Sequence, residues 1–233
     1  MIVACPTPAM GGEYRDASGF SFTYPDGWIA LTNPGKKINQ QALGPEIQGW
    51  LDKNNINWDK VPVVLIRETS NEVPETLIVT VSRGEFTTDE LAVKRTLDSL
   101  KQQAKSLGVT IENVDGRSRK YGTNDTIVVD YRNISPLTPI VSHQRTVFFC
   151  GDGNTYMLTC TAKEELFVDL SGTFDGILAS VKVPAPIKHE PQTASATDFD
   201  FGPAFAWTVG VLLVAGVWWG GKRLLARKNG RVP

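Results

Sequence analysis

The side chains able to do chemistry in this chain are few and scattered. It contains two histidines, His143 and His189. His143, in His143-Gln144-Arg145, has the chemistry of a base or a ligand. Its place just before an apolar run makes a strand-edge residue the expected reading. His189-Glu190 lies in a Pro-rich segment and reads as a solvated pair. No HExxH, CxxC, GxSxG or phosphate-loop pattern occurs in the sequence. Gly151-Asp152-Gly153-Asn154 resembles a calcium loop in composition alone, lacking the spacing and the terminal Glu, so a hairpin turn is expected. The residues predict a non-catalytic protein without metal or cofactor.

Three cysteines are present. A hairpin turning at Gly151–Asn154 sets Cys150 opposite Thr155 and Cys160 opposite Arg145, five positions away along the strand. At ~3.3 Å per residue that lies well beyond the ~7 Å reach of a disulfide, so these two thiols should not pair with each other. Cys5 stays open as a partner for either. Lys36-Lys37 and Arg117-Arg119-Lys120 are basic clusters and read as solvated loops. Asn133-Ile134-Ser135 fits a glycosylation acceptor, relevant only in a secretory pathway. Phe20, Phe22, Tyr24 and Trp28 could form an aromatic binding face, with core packing the expected role.

The elements that must position these residues follow from periodicity. Residues 1–13 are rich in Pro and Gly and read as an unstructured lead-in. Phe20–Tyr24 alternates as a half-buried strand, Pro25-Asp26-Gly27 turns the chain, and Trp28–Leu31 forms the other arm of a first hairpin. A short helix is expected over Pro45–Lys53. Val61–Ile66 and Leu77–Val81 read as paired strands. Thr87-x-x-Glu90 reads as a capping box opening a helix whose apolar face is Leu91, Val93, Leu97, Leu100, Ala104 and Leu107, stopped by Gly108. Strands follow over Val109–Val114, Thr126–Arg132, Thr146–Cys150 and Thr155–Thr161. A second helix runs from about Lys163 towards Ala179, capped by Thr161, with Gly172 and Gly176 weakening its continuity. Mostly antiparallel strands with two long helices predict an α+β class, helices laid on a single sheet.

Beyond Val183 the character changes. Residues 184–200 are rich in Pro, Thr and Ala and read as a tether. Residues 201–221 carry no charge over 21 positions, long enough to cross a ~30 Å hydrocarbon core as a helix. Trp207, Trp218 and Trp219 stand where an aromatic belt would lie, and Lys222 and Arg223 open a basic tail over residues 222–233. That basic flank predicts a cytoplasmic or stromal tail and a domain in the periplasm or thylakoid lumen. Five of the 24 Lys and Arg follow residue 221, leaving 19 against 25 acidic residues before it. A domain of that sign is a poor partner for nucleic acid.

Gly19-Phe20-Ser21-Phe22-Thr23-Tyr24-Pro25-Asp26-Gly27-Trp28 resembles the opening of the PsbP family, whose first hairpin carries a G(F/Y)xFxYPxGW pattern. His143-Gln144-Arg145-Thr146-Val147, then the Tyr156–Thr159 hairpin and the helix begun by Lys163-Glu164-Glu165, match that family by order and spacing. The resemblance covers residues 14–183 and implies an α/β/α sandwich. It makes Gly19, Phe20, Phe22, Tyr24, Pro25, Gly27, Trp28, His143 and Gln144 structural motif positions. It also implies a non-enzymatic accessory or assembly factor of a photosynthetic membrane complex, with the bilayer contacted through residues 201–221. The apolar stretch departs from typical lumenal members. Two other readings stay open: a tail-anchored cytosolic regulator similar to the GTPase-binding Mog-type proteins, and a periplasmic lipoprotein-like ligand-binding module lipidated at Cys5.

Overall fold

The computed structural model describes residues 10–32, 59–67, 74–106, 108–134 and 141–184. The helix expected over 45–53, Leu107, the tether, the apolar stretch with Trp207, Trp218 and Trp219, and the basic tail with Lys222 and Arg223 lie outside the described residues. Among the described residues no helix is long and apolar enough to cross a membrane.

Nine strands and two helices are described, in the order β1 (Met10–Arg15), β2 (Ser21–Pro25), β3 (Trp28–Thr32), β4 (Val63–Arg67), β5 (Glu75–Arg83), α1 (Glu90–Ser106), β6 (Thr110–Tyr121), β7 (Asn124–Ile134), β8 (Val141–Gly151), β9 (Asn154–Lys163) and α2 (Glu164–Ala179). Seven of the strands form one antiparallel sheet, ordered β3-β4-β5-β9-β8-β7-β6. β1 and β2 pair as a separate ribbon.

Successive residues of one strand serve opposite faces of the sheet. Val128, Val147 and Leu158 join Phe167, Leu170, Phe174, Ile177 and Leu178 of α2 in one cluster, together with Phe22 from the ribbon and Phe20 just before it. Their neighbours Ile127, Val129, Phe148 and Met157 join Val93, Leu100 and Ala104 of α1 in the other. A helix therefore covers each face, and the expected sandwich is present. Each fully buried Leu, Val or Phe contributes roughly 1.5–3 kcal/mol, which is what holds both helices down.

Local chemistry explains the turns. Asp152 and Gly153 have φ of 52° and 70°, the pair of positive values that a two-residue hairpin loop with the right twist requires. The β8–β9 register that results sets Cys150 against Thr155 and Cys160 against Arg145, as expected from the sequence. Gly108, at φ 68°, ends α1, and the next N–H, of Val109, returns to the Ala104 carbonyl at 2.9 Å.

Several expectations are corrected. Met10–Glu13 are not a loose lead-in: they lie in β1, where Glu13 and Tyr14 pair with Thr23 and Phe22. Gly12 makes this possible, since a Cβ there would stand 2.5 Å from the Tyr24 ring. β2 and β3 are joined by the Asp26-Gly27 turn but do not pair. β2 is paired by β1, and at Ser21 its backbone bonds to Lys182 instead. The cap of α1 is Asp89, not Thr87: Asp89 Oδ1 accepts the Ala92 N–H at 2.8 Å, and Thr87 Oγ1 donates to Asp89 Oδ2. Leu91, assigned to the apolar face of α1, is 55% exposed. Thr161 is a residue of β9, and α2 follows the strand directly with Lys163 as a cap residue lacking a side-chain cap bond. Gly172 and Gly176 leave α2 unbroken.

Candidate functional site

On the face that carries α2, β6, β7 and β8 bring charges together by register. Asp130 of β7 pairs with Asp115 on one side and Arg145 on the other, and Arg132 pairs with His143. α2 supplies Glu164 and Asp175 from above. Arg145 is the hub. Its Nε donates to Asp130 Oδ1 at 2.8 Å and its Nη1 to Asp175 Oδ1 at 2.9 Å. Its guanidinium carbon lies 5.5 Å from the centre of the Phe167 ring. Arg117 Nη2 donates to Asp130 Oδ2 at 2.9 Å and its Nη1 to Asp115. Asp175 also accepts from Tyr121 Oη at 2.8 Å and Arg119 Nη2 at 3.1 Å, and Arg119 lies 4.4 Å over the Tyr121 ring.

Burial would raise the Asp130 carboxyl, but the neighbouring His143 ring, the hydrogen bond from Arg145 and the charges of Arg145 and Arg117 outweigh it and hold it at about 2. Burial would likewise lower the Arg145 guanidinium, and its bond to Asp130 with the charges of Asp130 and Asp175 turns the net shift upward. Tyr121 is raised by burial, then by its bond to Asp175 and that carboxylate's charge. At neutral pH Asp130 is thereby held ionised, Arg145 protonated and Tyr121 neutral.

His143 lies at the end of this network. Its ring stacks on Phe167 with centroids 3.9 Å apart and an interplanar angle of 18°. Nδ1 is 3.3 Å from Glu164 Oε2, and Nε2 is 3.7 Å from Asp130 Oδ1. It is not an edge residue: β8 is flanked by β7 and β9, because the strand begins at Val141, earlier than the apolar run suggests. Arg117, Arg119 and Lys120 are likewise not in a loop. β6 extends to Tyr121 and sets Arg117 and Arg119 on one face and Lys120 on the other.

Cys160, opposite Arg145, is fully buried, and burial pushes its thiol far up, so it stays protonated and inert. Among the described residues no group of three or more His, Cys, Asp or Glu is placed to hold a metal. What the arrangement does is electrostatic: it pins α2 to the sheet through Asp175. It also presents a strip of paired charges on β6 and β7 beside the helix.

The motif residues singled out in the sequence are not one site. Gly19 and Gly27 adopt φ of 93° and 83°, values that favour glycine at the two ends of β2. Phe20 stacks on Tyr156 at 4.3 Å between centroids, Trp28 meets the edge of Phe174 at 5.9 Å, and Tyr24 and Pro25 close β2 against β1. His143 shares this side of the sheet through Phe167. Gln144, its neighbour, points to the opposite face, where its Oε1 accepts from Tyr131 Oη. Asn133 is buried in β7, so the glycosylation acceptor is not displayed. Asp130, Arg145 and Asp175 were not anticipated. Alternating charge at Asp115, Arg117 and Arg119, at Asp130 and Arg132, and at His143 and Arg145 is the signal that marks their shared face.

No protein-family profile matches the chain, and no curated protein sequence does. Solved structures do match. A crystal structure from Bacteroides thetaiotaomicron aligns at 10% identity over 75% of this chain and 48% of that one, TM-score 0.43. LpqN, involved in cell envelope biogenesis of Mycobacterium tuberculosis, aligns at 14% identity over 78% of this chain and 87% of that one, TM-score 0.43. The solution structure of cyanobacterial PsbP (CyanoP) from Synechocystis sp. PCC 6803 aligns at 17% identity over 74% of this chain and 91% of that one, TM-score 0.50. That last likeness shows a PsbP-like fold for this chain.

Proposed function

We propose that this protein is a non-catalytic accessory domain, held at a membrane by residues 201–221, that binds or stabilises a membrane protein complex on the lumenal or periplasmic side. The observation that carries the reading is one chain joining a PsbP-like fold to a 21-residue uncharged stretch with a basic flank. The strip of paired charges on β6 and β7 supports it, since guanidiniums and carboxylates already held in place lose little freedom when a partner docks. A tether of residues 184–200 would confine the domain near the bilayer and raise its effective concentration at a complex there. If the host is photosynthetic, a thylakoid complex is the natural partner, and nucleic acid is not.

Two measurements on the full chain test this. Protease protection in sealed vesicles, with tags on the domain and the tail, should place them on opposite sides of the membrane. Mild detergent extraction after crosslinking should recover the domain with a membrane complex. A domain digested together with its tail from the cytosolic side, or one that always migrates alone at native abundance, would sink the proposal.

A further inference from the structure

On the sheet face opposite the charge network, one row of side chains in direct register runs Ile66, Thr76, Thr161, Gln144, Tyr131 across β4, β5, β9, β8 and β7. Thr76, Thr161, Gln144 and Tyr131 are each at most 1% exposed. The next row on this face includes Thr146 and Thr159, whose hydroxyls satisfy each other at 3.2 Å. The row of Thr76 does not do this. Thr76 Oγ1, Thr161 Oγ1 and Gln144 Nε2 are buried without a hydrogen-bond partner.

Leaving one such atom unpaired costs roughly 1–3 kcal/mol, and three on adjacent strands would be an unusual burden for one sheet. Turning the Gln144 amide does not help: Tyr131 Oη can accept as well as donate, so either orientation keeps that contact and leaves the other amide atom unpaired. In the register Gln144 stands between Tyr131 on β7 and Thr161 on β9. Cross-strand neighbours have Cβ atoms about 4.5–5.5 Å apart, so a small group beside Thr161 has Thr76 on one flank and the longer Gln144 side chain on the other. The row carries no charged side chain, which argues against an ion.

We propose that Thr76, Thr161 and Gln144 form an internal site for a neutral oxygen group that accepts from Gln144 Nε2 and shares hydrogen bonds with the two hydroxyls. Two sources have that chemistry: a trapped water, and the hydroxyl or carbonyl of a small neutral molecule.

Thr76→Val and Thr161→Val keep the shape of the side chain and remove the hydroxyl. With a guest bonded to the row, each should lower the Tm by about 2–4 °C, the equivalent of one lost hydrogen bond in a domain of this size. Without one, each discards an orphan hydroxyl and leaves the Tm unchanged or raises it, which overturns the proposal. Should a variant fail to fold, the wild-type protein decides: crystallographic density between Thr76, Thr161 and Gln144 is expected. Direct contact of these side chains with nothing between them overturns the site. Native mass spectrometry of the full chain then separates the sources. A stoichiometric mass released on denaturation identifies a small molecule, and a bare protein whose Gln144 amide shows contacts to water by NMR identifies water.

Discussion

Asp130 and Arg145 face each other on β7 and β8, and their 2.8 Å bond is the centre of an ion-pair network that reaches α2 through Asp175. Both side chains are nearly enclosed, at 13% and 12% exposure, so neither charge can fall back on water. Arg145→Ala leaves Asp130 to Arg117 and Asp175 to Arg119 and Tyr121, and should cost about 2–3 kcal/mol in urea unfolding. Asp130→Asn leaves Arg145 its second partner and should cost less. A double-mutant cycle should return a coupling well above the ~1 kcal/mol ceiling of exposed pairs. Coupling near zero would show the contact to be passive.

Acid should weaken the fold through the same carboxyl. Asp130 is held at about 2, below the ~3.9 of an unfolded Asp. A depressed folded value means the unfolded chain takes up the proton first, so the stabilisation is complete above pH ~4 and is lost as pH falls towards about 2. Urea midpoints measured between those limits should decline, and Asp130→Asn should flatten the decline. An equal slope in the variant would assign the acid sensitivity to other groups.

The two described cysteines should behave as separate thiols. Cys160 sits opposite Arg145 and is fully buried, while Cys150 is half-buried with the Phe86 N–H 3.4 Å from its Sγ. Burial raises both thiols, so both should be slow to react. Peptide mapping after alkylation should label Cys150 first and Cys160 only on unfolding. A Cys150–Cys160 bridged peptide from native protein would contradict the register of β8 and β9.

Much of this was legible because it rests on local rules. Asp152-Gly153 dictates its turn, the turn fixes the β8–β9 register, and the β-branched runs and the apolar face of α1 locate their elements. The network was not, because its members lie on four separate elements and meet only through strand register and the packing of α2. A single Asp130 within a Val-rich strand reads as a solvated residue until Arg145 is placed beside it. Three errors share one cause. Thr87, Thr161 and His143 were assigned by distance from an apolar run. The backbone ladder instead carried β9 through Thr161 to Lys163, started β8 at Val141 and let Asp89 take the capping bond. Pairing of β1 was hidden because glycines carry no periodicity.

The last prediction concerns the opening motif, where Gly27 and Trp28 divide the work. Gly27 has φ 83° with nothing within 4 Å of an added Cβ, so its constraint is conformational and not steric. Gly27→Ala should cost about 1–2 kcal/mol, and Gly27→Asn less, since Asn visits the left-handed region more readily. Trp28 is different in kind. It is 7% exposed and meets Phe174 edge-on, tying β3 to α2 across the core. Trp28→Ala should cost about 3–5 kcal/mol and speed hydrogen exchange in α2 as well as in β3. Gly27→Ala should leave exchange in α2 unchanged relative to the global shift. If both variants loosened α2 equally, the motif would be one cooperative unit, and the separate roles assigned to Gly27 and Trp28 would be wrong.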